Sequence, residues 1–168
     1  MSPCPGCGLK SESNDQSLID LYNASGYCWH LYGYLSAFTL SLRDHDFTHQ
    51  LVVDAYAAQH SGPNVKPIST AFALVGLYLT FERGYTGKQV QQAHMFLGKK
   101  RIAWPHVVPP ENQGALTVVN VLQGPELQRM EMIRKWGRSV GEMWKPEHGS
   151  VRKLVEIYLV YEIIFSEI

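Results

Sequence analysis

Between residues 47 and 60 the chain has helical spacing with more apolar surface than any position but the centre of a fold can hide. Phe47, Leu51, Ala55 and Ala58 line one face, and Val52, Val53, Tyr56 and Ala57 spread it around most of the circumference. Such a helix needs neighbours on several sides. The same stretch carries Gln50 and Asp54 four positions apart, and a charged Asp54 among these apolar residues is costly unless it is hydrogen-bonded, paired or ligating.

The neighbours can be read from their own spacing. Asn23 to Gly26 supply a cap for a first helix, in which Cys28, Leu31, Leu35, Phe38 and Leu42 recur at steps of three and four. Residues 71–79 are apolar all round, Pro67 suits the first turn of that helix, and Gly76 marks a close approach by a neighbour. Thr86 caps a fourth helix ending near Gly98, with Val90, Ala93 and Leu97 inward. Gly124-Pro125 opens a fifth, in which Leu127, Met130, Ile133, Gly137, Val140 and Trp144 keep the period, and whose outer face pairs Glu131 with Lys135 and Arg138 with Glu142. Pro146 starts a sixth, running to Tyr161 or beyond. Residues 101–115 read as an irregular loop packed by Trp104, and residues 116–122 as a short apolar element, strand or helix. The expectation is all-α: a compact bundle of five to six helices, one domain over residues 1–168, with residues 1–16 as a Cys-x-x-Cys knuckle and linker.

Charge and composition exclude several classes. Fifteen basic residues balance fifteen acidic ones, so no global field attracts nucleic acid or an anionic membrane. The longest nearly uncharged apolar run, residues 68–81, is shorter than the ~20 residues a membrane-crossing helix needs. The N-terminus shows no basic segment followed by an apolar one, which makes the cytoplasm the expected location. The apolar residues 163–165 should either dock on the body or contribute to a homodimer contact. The glycine loops, nucleophile elbow and His-Glu-x-x-His helix of common enzymes are absent, so no catalytic residue and no small-molecule ligand can be named.

The chemistry lies in cysteines and histidines. Cys4-Pro5-Gly6-Cys7-Gly8 places two thiols around a Pro-Gly turn, a knuckle suited to tetrahedral zinc. Two more ligands must come from elsewhere, among Cys28, His49, His45 and His60, and Cys28 with His49 make the preferred set. His49 and His60 cannot share an ion, because they stand eleven helical positions apart, about 16 Å. At the end of its helix, His60 can be explained by the helix dipole alone. Asp54, His60 and His94 are candidates for a pocket in the bundle core.

Cys4 to Gly8, Tyr22 to Gly26 with Cys28-Trp29, His49 to Leu51 with Val53 to His60, Ala71 to Leu79, Thr86-Gly87 with Gln89 to Gln91 and Ala93 to Met95, and Trp104-Pro105 together resemble an uncharacterised bacterial family, domain of unknown function 5946. The resemblance runs to about Trp144 and implies no activity. Three functions fit the sequence. One is a binding or regulatory helical protein pinned by a closed zinc site. Another is a metal-dependent enzyme with His49, Asp54, His60 or His94 around an open position. The last is a metal-free interaction module.

Overall fold

The computed structural model describes residues 2–12, 17, 19–112 and 114–159. Within them the chain forms seven α-helices and no β-strand: α1 (Gly26–Ser41), α2 (His49–Gln59), α3 (Pro67–Glu82), α4 (Gly87–Gly98), α5 (Val118–Gln123), α6 (Arg129–Met143) and α7 (His148–Tyr158). The architecture is all-α, as expected, with one helix more than the five to six predicted. The addition is α5, whose β-branched Val118, Val119 and Val121 carry little helical signal. Its first turn forms because Asn120 Oδ1 accepts from the Thr117 amide at 2.8 Å.

Helix α2 occupies the centre, packed on α1, α3, α4 and α6. Nine of its eleven residues are buried, including Gln50, Asp54 and Gln59. It begins at His49, not Phe47, because the backbone at Arg43 and Phe47 is left-handed and cannot continue a helix. Asp44 stabilises this start: its Oδ2 accepts from the Thr48 amide at 2.9 Å and from Thr48 Oγ1 at 2.8 Å.

The far end of α2 is fixed by two indoles of α6 and the chain that follows it. Trp144 donates to the Ala58 carbonyl at 3.0 Å, and Trp136 donates to Gln59 Oε1 at 3.0 Å. Gln59 in turn donates to the Leu116 carbonyl at 2.8 Å, so a buried amide is satisfied and the loop before α5 is tied to the core. Both tryptophans are essentially inaccessible to solvent, and burying a large apolar side chain is worth about 1.5–3 kcal/mol.

The remaining helices follow their sequence signals. Ser25 Oγ caps α1 through the Cys28 amide at 3.3 Å, and Thr86 with Gln89 forms a reciprocal capping box on α4. Lys135 pairs with Glu131 at 2.9 Å on the outer face of α6, whereas Arg138 lies over the Phe81 ring. The irregular loop before α5 packs through Trp104, edge-on to Phe72. Among the described residues no helix is long and apolar enough to cross a membrane. The apolar residues 163–165, most of the linker and the last turn expected for the final helix lie outside the described residues.

Candidate metal centre

Connections between helices decide which residues can meet. Only seven residues, 42–48, join α1 to α2, so the two run antiparallel. The start of α1, with Cys28, therefore faces the end of α2, with His60. The N-terminal turn closes over this junction: Gly8 donates to the Cys4 carbonyl at 2.8 Å, Cys4 donates to the Leu9 carbonyl at 2.8 Å, and Gly8 adopts the left-handed conformation that ends the knuckle.

Cys4, Cys7, Cys28 and His60 are brought together, with their ligand atoms within 4.8 Å of one another and all four side chains buried. The three cysteines are free thiols. Cys7 Sγ and Cys28 Sγ stand 3.7 Å apart, and Cys28 Sγ stands 3.3 Å from His60 Nε2. A tetrahedral ion with ~2.3 Å bonds to sulfur and ~2.0 Å to nitrogen would set these edges at about 3.8 Å and about 3.5 Å. The donor set thus has the chemistry of a tetrahedral site, and two of its separations match that geometry.

The surroundings prepare each donor. His60 Nδ1 lies 2.8 Å from the Tyr56 carbonyl, which can only accept, so the proton resides on Nδ1 and Nε2 turns its lone pair to the sulfurs. The Tyr56 ring stacks on His60 at 3.9 Å between centroids, and its hydroxyl donates to Cys28 Sγ at 3.6 Å. Cys4 Sγ accepts from the Ser25 amide at 3.4 Å, at the N-terminus of α1, where the helix dipole favours negative charge. Gly6 lies directly over the ligand: a Cβ there would stand 2.5 Å from both His60 Cδ2 and the Asn23 carbonyl oxygen.

Without a metal the three thiols compete for charge. Hydrogen bonds from Cys28 and then Cys7 hold the Cys4 thiol far below its ordinary range. For Cys7 the bond with Cys28 acts downward, but the bond with Cys4, burial and the Cys4 charge outweigh it and push this thiol up to about 12. Hydrogen bonds to Cys4 and Cys7, followed by burial, raise Cys28. One thiolate and two thiols is the favoured state, and a divalent ion would displace the remaining protons.

His49, preferred from the sequence as the fourth ligand, is not beside these thiols. It begins α2 and its Nδ1 lies 2.8 Å from Thr39 Oγ1, near the end of α1, where burial lowers its pKa. His60 stands in its place because the short connection reverses the chain, a signal the helix spacing alone does not contain. His45 is exposed beside Asp46. Asp54 and His94, grouped with His60 as pocket candidates, lie apart from it in another polar cluster. Gln50 Nε2 donates to Asp54 Oδ1 at 3.1 Å and lies 3.4 Å from His94 Nδ1, while His94 Nε2 donates to the Phe72 carbonyl at 2.7 Å.

Fold and site define an all-α protein with a buried cluster of three cysteines and one histidine able to hold a metal ion. The chain belongs to the family of unknown function DUF5946, whose model matches residues 2–145. No curated protein and no solved structure matches it.

Proposed function

We propose that the protein is a cytoplasmic, zinc-stabilised helical protein with a binding or regulatory role, and that Cys4, Cys7, Cys28 and His60 form a closed structural site. The observation that carries this is four buried donors within 4.8 Å of one another, two of whose separations match tetrahedral edges. Four protein ligands leave no position for water or substrate, which separates a structural zinc site from a catalytic one. Three thiols with one imidazole select zinc over hard cations, and free thiols suit a reducing compartment. The ion would join the N-terminal turn to the start of α1 and the end of α2. The Asp54, Gln50 and His94 cluster has two titratable donors separated by an amide, which favours a packed polar bridge over an open metal site.

The test compares two histidine variants by metal content and by competition with a chelating dye. His60→Ala should weaken zinc binding by more than the ~10–100-fold that loss of an outer hydrogen-bond partner costs, and should lower the melting temperature. His49→Ala should keep its zinc. Equal zinc retention by both variants would contradict the site.

A further inference from the structure

The three cysteine residues of the site are all buried, but not equally. Cys7 is 6 % exposed, Cys4 1 % and Cys28 0 %. Cys7 is therefore the cysteine residue nearest to solvent, and its Sγ stands 3.7 Å from the Sγ of the fully buried Cys28. The two come from different parts of the chain, one on the N-terminal turn and the other in the first turn of α1. The turn's backbone hydrogen bonds from Cys4 to Leu9 and from Gly8 to Cys4 close within the turn itself. Closing a disulfide requires the 3.7 Å separation of the two sulfurs to shorten to ~2.0 Å.

We propose that the centre is a redox-sensitive latch, in which a peroxide oxidises Cys7, Cys28 closes a disulfide onto it, and the ion is released. The proposal rests on the zinc reading of the same four residues. The Cys7 sulfur attacks a peroxide oxygen: an S–O bond forms, the O–O bond breaks, and the departing hydroxide takes a proton to become water. The Cys28 sulfur then attacks the Cys7 sulfenic acid: the S–S bond forms, the S–O bond breaks, and the departing hydroxide takes a proton from solvent and leaves as a second water. Two sulfurs lose the two electrons that the peroxide gains. Cys4 and His60 remain, and two donors do not retain a tetrahedral ion. The new covalent bond holds the turn on α1 after the ion has gone, so the switch changes metal content without freeing the N-terminal segment. A dithiol reductant reverses it.

The test uses the full zinc-loaded chain, treated with hydrogen peroxide in the presence of a chelating dye, then digested without reduction for mass spectrometry. The expected result is release of the whole zinc content, a cross-linked peptide pairing Cys7 with Cys28, and recovery of zinc binding after dithiol reduction. Retention of zinc under excess peroxide would overturn the latch, as would a cross-link that includes Cys4 or irreversible oxidation of Cys7 without a cross-link. A protein that holds no zinc before oxidant is added would instead overturn the metal reading, and the latch with it.

Discussion

Gly6 and Asp54 show how single residues adjust to the packing around them. At Gly6 a methyl group would enter the space of His60 Cδ2 and the Asn23 carbonyl, both 2.5 Å from its position. Backbone is involved, so a rotamer change cannot relieve the contact. Gly6→Ala should destabilise the zinc-bound protein by about 1–3 kcal/mol and weaken zinc binding, read by thermal melting and dye competition. Asp54 is a different case: burial raises its carboxyl well above 3.8, against the opposing hydrogen bond from Gln50. Among the described residues its Oδ2 has no hydrogen-bond partner. The folded chain retains a proton that the unfolded chain releases, so stability is fully present below the unfolded value and is lost as pH rises through the folded one. Asp54→Asn is neutral throughout. Its stability relative to the parent should therefore rise as pH increases above the ordinary carboxylate range, measured by denaturant unfolding at saturating zinc. A difference independent of pH would show that Asp54 is ionised in the fold.

At the scale of elements, two close approaches set how the helices lie. α2 crosses α3 where Gly76 abuts the Asp54 carboxyl group, and a Cβ on Gly76 would overlap Oδ2. Gly33, on the outer side of α1, has none of the described residues within 4 Å of its Cβ position. Gly76→Ala should cost about 1–3 kcal/mol or more, whereas Gly33→Ala should add about 0.5–1 kcal/mol from helix propensity, both read by urea midpoints. Much of this scale was legible in the sequence. The apolar circumference of α2, the close approach at Gly76, and the caps at Ser25 and Thr86 follow from spacing and local chemistry. The start of α2 did not, because the left-handed residues Arg43 and Phe47 give no compositional warning. Cys4, Cys7 and Cys28 could be grouped from the knuckle and its need for further donors. Their partner His60 could not be chosen over His49 by helical period, because the choice depends on the direction of α2 relative to α1. The length of the 42–48 connection supplies that direction.

Across the whole molecule, the N-terminal turn is the segment whose attachment depends most on the cluster. It has no helix of its own and reaches the body through Cys4 and Cys7, with Gly6 against His60. At free zinc of ~1,000 times the dissociation constant, binding would contribute about 4 kcal/mol to stability. Chelation should therefore lower the melting temperature and expose residues 2–12 to proteolysis before the helices are cut. Simultaneous cleavage throughout would mean that the turn is not selectively held by the ion. X-ray absorption at the zinc edge of protein purified without a histidine tag tests the central claim most directly. One zinc per chain with three sulfurs near ~2.3 Å and one nitrogen near ~2.0 Å is the predicted result. Metal-free protein, or zinc surrounded by oxygen donors, would contradict it.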